Sequence, residues 1–367
     1  MPDRSRVSNS TRSKGYTGRF GITDGGGLSL SAVHSCSDII GPGDNAPFHV
    51  HSVTADGGII QKPNTGFFGS WFTNYVCDVM DVLDNFDHLG IVDDISNVDA
   101  ATQAAARTNP SRPYVDVPAD LLQLHELADL IRTRGNAILD GSNPIQTRLG
   151  NENLRFQFGF LPVWRDAVNL FDFHEQVNRR VDEIKRLKHA GGLRRTVAIG
   201  SYGTSSRVDK YIQTYNTFIS GTFDVSTTLE IRAHCRWIPD DACDVLSSPA
   251  AVRALARRAV TGGTLDASTM WQIMPWSWLL DWCGTVGQYF AAHRNIIPAT
   301  LSDVAVMRHT RTSWSWPGKN YDDVTCSGIN VIREDKTRAT SFVAPVAHFP
   351  FLTGNQLGIL ASLFATR

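Results

Sequence analysis

Residues 222–237, TFDVSTTLEIRAHCRW, alternate in polarity from one position to the next. Phe223, Val225, Ile231 and Trp237 fall on one set of alternate positions, and charged or hydroxyl side chains fill the other. A period of two residues places the two sets on opposite faces of a β-strand. Strands buried on both faces read instead as continuous apolar runs. The segment therefore predicts a long antiparallel strand with one solvated face.

Further strands are predicted on both sides of this segment. Residues 210–219, just before a Ser220-Gly221 turn, are expected to form its hairpin partner. A turn at Pro317 and Gly318 is expected to separate the last two strands. The other strand-like runs are residues 28–33, 48–53, 304–316 and 324–343.

Apolar residues that recur every three or four positions predict helices between these runs. The longest begins near Leu161 and Pro162 and ends at Gly191 and Gly192. The other helical patterns cover residues 72–86, 121–131, 249–259, 268–294 and 355–364.

The strand and helix blocks follow one another as β, α, β, α, β, α. Parallel α/β folds use short buried strands and single crossover helices, whereas these strands are long and amphipathic. We therefore predict an α+β protein, elongated and two-part, with an antiparallel β-sheet region and an α-helical bundle, each built from discontinuous segments. The predicted sheet region is 1–67, 192–240 and 299–346, and the predicted bundle is 68–191, 241–298 and 347–367.

The composition excludes a globally basic nucleic-acid-binding domain. The 367 residues include 35 Lys and Arg against 36 Asp and Glu, so any RNA binding requires local clusters. The six cysteines are scattered without a CxxC pair, which fits synthesis in a reducing cytoplasm. The most apolar stretch, residues 270–292, contains Pro275, Asp281 and Gln288, so we expect no membrane span.

Enzyme signatures are missing from the sequence. No Walker loop, dinucleotide-binding glycine fingerprint, HExxH motif or GxSxG elbow occurs, so we expect no enzymatic activity, cofactor or small-molecule substrate. Asp281 is either a catalytic acid or, as we favour, an acceptor for a tryptophan N–H, an arginine or a helix N-terminus. A hairpin could gather His34, Cys36, His49 and His51 into a zinc site, but only in one register. We favour partly exposed residues on a polar sheet face.

Two segments combine aromatic residues with glycine and proline. The first is residues 154–162, LRFQFGFLP, and the second is residues 274–282, MPWSWLLDW. Proline should start or kink a helix, and tryptophan supplies a large buried area. We therefore interpret both segments as core. The marking residues are Phe158, Gly159, Pro162, Asp166, Pro275, Trp276, Ser277, Trp278, Asp281, Trp282 and Gly287.

These two segments resemble the best-marked stretches of the maturation (A, or attachment) proteins of single-stranded positive-sense RNA bacteriophages. That family has an F-G-aromatic-x-P helix entry and a P-aromatic-S-aromatic-x-x-D-W motif followed by glycine. Residues 356–363, QLGILASL, resemble its C-terminal helix more weakly. The matching segments occur in the family's order, whereas the block up to Asn64 has no match.

The resemblance implies a non-enzymatic virion protein, made in the bacterial cytoplasm and present once per capsid in place of a coat-protein dimer. Its bundle would face inward and hold structured genomic single-stranded RNA near the 3′ end. Its sheet region would project outward to a host pilus, so that the protein escorts the RNA into the cell. The implied partners are the genomic RNA, coat-protein dimers and pilin.

Basic residues cluster at two places on this otherwise neutral chain. They are either phosphate contacts or solvated helix faces, and the resemblance favours RNA. The predicted RNA-binding residues are Arg179, Arg180, Lys185, Arg186, Lys188, Arg194, Arg195, Arg253, Arg257 and Arg258.

Pilus contacts are predicted on the solvated face of the long strand and at exposed aromatic residues, because arginine and aromatic side chains anchor interfaces. Ordinary sheet surface or core is the alternative for each. The candidates are Glu230, Arg232, His234, Arg236, Trp314 and Trp316. Two other classes stay open for the whole protein: a multi-copy structural or scaffold capsid protein, and a cytoplasmic RNA-processing enzyme.

Overall fold

The structure is a computed structural model in which the chain forms two compact units. The first unit contains Met1–Asn97, Ala198–Ala233 and Ala305–Thr340, and the second contains Val98–Val197, His234–Val304 and Ser341–Arg367. The residues that the structure describes are 3–13, 28–40, 45–61, 74–76, 86–114, 172–214, 217–240, 248–264, 266–274, 277–320, 325–347 and 354–365. The predicted helix at 72–86 is wrong at residues 74–76, which form a strand, and of its other residues only Phe86 is described. The predicted helix at 121–131 and the start of the one near Leu161 lie outside the described ranges.

A large antiparallel sheet contains the described strands. In chain order they are β1 (Asp3–Ser13), β2 (Leu28–Ile39), β3 (Phe48–Gly57), β4 (Ile59–Gln61), β5 (Asn74–Val76), β6 (Leu193–Thr214), β7 (Thr217–Pro239), β8 (Ala299–Leu301), β9 (Val304–Asn320) and β10 (Thr325–Ser341). Neighbours across the sheet follow the order β1-β2-β3-β10-β9-β7-β6. Short β4 pairs with β10 and β5, and β8 pairs with β7.

The described helices are α1 (Asn97–Thr108), α2 (Phe173–His189), α3 (Pro249–Val260), α4 (Ala267–Ile273), α5 (Ser277–Asp281), α6 (Val286–Ala292) and α7 (Gly354–Ala365). Together with the sheet they confirm the predicted mixed α+β class. Among these helices, none has the length and apolar character to cross a membrane.

Strand β7 is the one that the alternating segment predicts. Its odd-numbered side chains from 223 to 237 are buried, and its even-numbered side chains from 222 to 232 are exposed. The predicted turn at Ser220 and Gly221 is wrong, because β6 ends at Thr214 and β7 begins at Thr217. Gly221 lies inside the strand, where a Cβ atom would be 2.7 Å from the Trp316 indole. Glycine is needed there to admit the ring, and not to turn the chain.

The predicted turn at Pro317 and Gly318 is also wrong, since β9 continues to Asn320. Gly318 has a positive φ of 88°, a conformation that glycine adopts without the steric cost of a side chain. Proline and glycine inside a strand mark bends or bulges as well as turns. Pro317 and Gly318 therefore mark a local irregularity inside β9 and not the end of the strand.

The core of the first unit lies on one face of the sheet. It combines Phe223 of β7, Trp314 and Trp316 of β9, and apolar residues of β3 and β10. Phe86 packs edge-on against Trp314, with ring centroids 5.8 Å apart. Burying these large rings supplies much of the apolar stabilisation of this unit.

Helices α4, α5 and α6 replace the single helix predicted at residues 268–294. Met274 is extended, with ψ 126°, as expected for a residue that precedes proline. A second break precedes α6, where the Thr285 amide donates 2.9 Å to the Val346 carbonyl oxygen instead of to a helical partner. The apolar periodicity continues through both breaks, which is why it predicted one long helix.

Candidate nucleic-acid interface

Helix α2 presents an apolar stripe to the core of the second unit and a basic end to solvent. Val177, Ile184 and Leu187 are buried, and the last turn is basic. Cations in a last turn interact favourably with the unpaired carbonyl groups of a helix C-terminus. Gly191, with φ 61°, and Gly192, with φ 135°, then turn the chain away.

Helix α3 packs beside α2 through small residues. The Ser248 side chain caps its N-terminus by accepting the Ala251 amide at 3.1 Å, and Pro249 fills the first helical position. Ala256 and Ala259 are fully buried in the same apolar cluster as the α2 stripe. Their short side chains allow the two helices to lie close together.

A groove of about 720 Å³ runs between α2 and α3. Its floor is apolar, with Val181, Ile184 and Val252 among the lining residues. Basic side chains come from both helices, and the described lining residues include no Asp or Glu. The basic lining residues are Lys185, Lys188, His189, Arg253 and Arg257. The groove thus brings together members of both basic clusters predicted from the sequence.

Helices α2 and α3 form the two walls of the groove, and each contributes basic side chains. Arg253 and Arg257 are one helical turn apart, about 6 Å along α3. Neither side chain has a hydrogen bond or ion pair to any part of the chain that the structure describes. The Lys185 side chain is 60% exposed, and its Nζ makes one long contact, 3.7 Å to Oδ1 of exposed Asp182. These side chains are therefore available to a polyanion.

Other predicted RNA-binding residues have structural partners. Arg180 donates to the carbonyl oxygens of Pro110 at 2.6 Å and Arg112 at 2.7 Å, and pairs with Glu183 at 2.8 Å. Burial lowers the pKa of the Arg180 guanidinium, although Glu183 opposes this shift. Arg195 pairs with the same Glu183 at 2.6 Å. We therefore assign Arg180 and Arg195 to the fold and not to the groove.

The remaining basic candidates lie outside the groove lining. Arg179 pairs with Glu175 at 2.5 Å on an exposed surface. Arg258 donates to the Gly263 carbonyl oxygen at 3.4 Å. Arg186 is exposed, and Arg194 has an interaction within the protein. The groove also contains His189, which the sequence prediction omitted although it lies four residues after Lys185.

The predicted pilus contacts divide into exposed polar residues and buried aromatics. Glu230 and Arg232 form an exposed pair at 3.3 Å. His234 is 3.0 Å from Thr196 Oγ1, and Arg236 donates to the Gly191 carbonyl oxygen at 3.4 Å. These four residues remain surface candidates.

Trp314 and Trp316 were predicted as exposed aromatics, and this is wrong. They are only 3% and 5% exposed and pack against Phe223 in the core of the first unit. Their alternation in β9 places both rings on the core face, where they exclude water. Neither ring is available to a partner.

The four potential zinc ligands do not come together. In the pairing of β2 with β3, His34 lies opposite Ser52 and Cys36 lies opposite Val50. Residues directly opposite share a face, so His34 and Cys36 point to one side of the sheet and His49 and His51 to the other. Among the described residues, no group of three or more Asp, Glu, His or Cys side chains is placed to hold a metal ion.

The second family-like segment is partly described. Both Asp281 carboxylate oxygens accept the Trp271 indole N–H at 3.1 Å, and Oδ1 also accepts the Gly287 amide at 2.9 Å. This is the structural hydrogen bonding favoured from the sequence, although the side chain is exposed. Ser277 is buried, and Trp282 follows α5 directly. Phe158, Gly159, Pro162, Asp166, Pro275, Trp276 and the Trp278 side chain lie outside the described residues.

No protein-family model matches the chain, and no curated protein matches it.

Proposed function

We propose that this protein is the maturation protein of a small RNA bacteriophage: a virion component that binds the genomic RNA and attaches the particle to a host pilus. The proposal includes a single copy in the capsid, contacts with coat-protein dimers, synthesis in the host cytoplasm and no catalytic role. It also includes the finer architecture, an elongated molecule with a helical bundle toward the RNA. The sequence resemblance supports the attachment half.

The groove between α2 and α3 is the observation that supports the RNA half. Phosphate groups would replace water and small anions beside Lys185, Lys188, Arg253 and Arg257, while sugar edges would cover the apolar floor. Contacts of this kind position a nucleic acid without reading its sequence. Each phosphate that a cation neutralises releases counterions, so four contacts predict a slope of about −3 to −4 for log affinity against log salt concentration.

The experiment compares two double variants with the same loss of charge. Lys185→Gln with Arg253→Gln removes one cation from each wall of the groove. Arg179→Gln with Arg186→Gln removes two exposed cations from α2 outside the groove. Binding of a fluorescently labelled RNA hairpin is measured by anisotropy over a range of salt concentrations.

The groove variant should bind more weakly, and its salt slope should be shallower by about 1.5 to 2, because two phosphate contacts are lost. The control variant should keep the slope of the unmodified protein. Equal changes in both variants, or no change in the groove variant, would contradict the RNA proposal.

Counting the copies of the protein per particle tests the alternative class. A single copy agrees with a maturation protein, whereas many copies would support a structural or scaffold capsid protein.

A further inference from the structure

The registers of four strands align side chains into rows across one face of the first unit. Directly opposite residues of antiparallel strands point to the same side, so pairings from β1 to β2, β3 and β10 can be followed across the sheet. Two neighbouring rows end in cations on both sides. They are Arg4, Asp38, Phe48 and Arg338, and next to them Arg6, Cys36, Val50 and Lys336.

We call these eight residues the cationic patch. The strands lie about 4.8 Å apart, so the outer cations of each row are separated by about 14 Å at their Cα atoms. The two rows are about 7 Å apart along the strands. The Arg4 side chain is 50% exposed and the Lys336 side chain is 45% exposed. The patch is therefore an accessible surface with a cation at each corner.

The carboxylates near the patch are already engaged. Arg4 makes a two-point contact with Asp38, with Nε 2.9 Å from Oδ1 and a second contact from its terminal nitrogen to Oδ2. This hydrogen bonding holds the pKa of Asp38 below its ordinary value, although partial burial opposes it. In the next row, Glu334 lies 3.4 Å from Lys336 and 3.5 Å from Arg311. These groups leave the surface with five Lys and Arg side chains against two carboxylates.

The middle of the patch is not a stacking platform. Phe48 is the aromatic residue of the two rows, and the Arg338 guanidinium lies over its ring at 4.8 Å from the centroid. The Arg338 Nε also donates to the Ala46 carbonyl oxygen at 2.8 Å, which fixes the guanidinium in this position. A nucleic-acid base would have to displace that contact before it could stack on Phe48.

We propose that the cationic patch docks an acidic protein surface. Four corner cations with a carboxylate inside one of the two rows make a pattern of both signs, which a folded partner can match with several acids around one base. A phosphodiester chain carries one sign only, so Asp38 would repel it. This proposal deepens the attachment half of the proposed function and rests on that function for the partner's biological identity; the chemistry is argued from the strand register.

The test uses the full chain and, as the probe, a labelled Glu-Glu-Lys-Glu-Glu peptide, which carries several acids around one base. Arg6→Gln with Lys336→Gln removes one cation from each side of the patch. The matched control, Arg207→Gln with Lys319→Gln, removes two exposed cations of β6 and β9. Both variants are compared with the unmodified protein by anisotropy at low ionic strength, after circular dichroism has shown unchanged folding.

The patch variant should bind the peptide roughly threefold to thirtyfold more weakly, as expected for two surface charge contacts. The control should match the unmodified protein. An unchanged affinity of the patch variant, or an equal loss in the control, would overturn the proposal.

The same proteins are then titrated with labelled single-stranded oligouridylate. The patch variant should keep its RNA affinity, and a loss as large as that for the peptide would identify the patch as a nucleic-acid surface and overturn the proposal. The groove variant, Lys185→Gln with Arg253→Gln, should lose RNA affinity and keep peptide affinity. A failure of the RNA proposal is thus distinguishable from a failure of the patch proposal.

Discussion

Replacing Asp335 by asparagine should destabilise the first unit by about 2–4 kcal/mol at neutral pH. The Asp335 side chain is only 15% exposed. Its Oδ1 is 2.5 Å from His51 Nδ1, and its Oδ2 is 2.7 Å from His88 Nε2 and 3.1 Å from Arg333 Nε. Asparagine has nearly the same shape but no charge, so the variant tests the electrostatic role of this group.

A chain of hydrogen bonds extends from Asp335 into the core. His88 Nδ1 is 2.6 Å from Thr312 Oγ1, which is 2.7 Å from Thr227 Oγ1, and Thr227 accepts the Leu89 amide at 3.1 Å. Ionised Asp335 can only accept, so His88 Nε2 carries the hydrogen of their contact. The chain holds residues 86–89 against the sheet.

The magnitude follows from the loss of one charged acceptor with three partners. A hydrogen bond to a charged group contributes about 1.5–3 kcal/mol, and removal of one member of a buried ion pair costs about 3–5 kcal/mol. Asparagine keeps one acceptor oxygen, and the site is partly open to solvent. The expected cost therefore lies between these limits.

The pH dependence provides a second check. Burial raises the pKa of Asp335, but the hydrogen bonds from His88 and His51 and the charge of Arg333 outweigh it and hold the pKa below its ordinary value of 3.8. A lowered pKa means that the ionised group stabilises the folded state above pH 3.8, and that this contribution is lost as the pH falls through the folded-state pKa. The difference between the unmodified protein and the variant should therefore shrink between pH 5 and pH 3.

Urea unfolding at several pH values measures this difference, and hydrogen exchange at the Leu89 amide reports the local contact. Glu334→Gln is the matched control, because Glu334 lies next to Asp335 on the opposite face and is 28% exposed with contacts of 3.4–3.6 Å. We expect it to cost less than about 1 kcal/mol. An equal cost for the two variants, or a difference that grows as the pH falls, would refute the assignment of Asp335.

Two further outcomes follow from packing. Gly221→Ala should lower the stability of the first unit by about 1–3 kcal/mol, measured by thermal unfolding, because the new methyl group would overlap the Trp316 indole; an unchanged melting temperature would contradict this packing. Burial raises the pKa of the Cys326 thiol to about 11, so iodoacetamide at pH 8 should modify exposed Cys283 faster than Cys326, as followed by mass spectrometry; equal labelling rates of these two cysteines would contradict it.

Local periodicity predicted individual elements well, but not their breaks. The two-residue period of β7 is long enough to exclude a helix, and it even identified which side chains are buried. The period in residues 268–294 could not reveal where the helix stops. The first break occurs at Met274, directly before a proline. The second occurs where the Thr285 amide donates to the Val346 carbonyl oxygen, a partner distant in sequence.

Strand register decides which distant side chains share a face of the sheet, and the sequence alone does not reveal it. A slip of one residue moves every side chain of a strand to the other face. The possible zinc site depended on that choice, and the actual pairing separates His34 from His51. The same pairing places Arg4 and Arg338 in one row, although they lie at opposite ends of the chain. No local pattern could have predicted this row.

The total charge conceals how acids are distributed around the two cationic surfaces. On α2, Glu175 and Glu183 pair with Arg179, Arg180 and Arg195 outside the groove, so the described lining of the groove contains Lys and Arg but no Asp or Glu. A surface of one sign suits a ligand of uniform charge, because repeated phosphates find a cation at each step.

In the first unit, the carboxylates lie within the cationic surface itself. Asp38 sits between Arg4 and the Phe48–Arg338 pair, so the surface alternates in sign over a few ångströms. This alternation of charge sign lowers the attraction of the surface for a polyanion of uniform charge. It also increases the difference in affinity between a partner whose charges match the pattern and one whose charges do not. A nearly neutral chain can therefore carry one surface for a polymer of repeated charge and another for a patterned protein face, and the positions of three or four carboxylates make the difference.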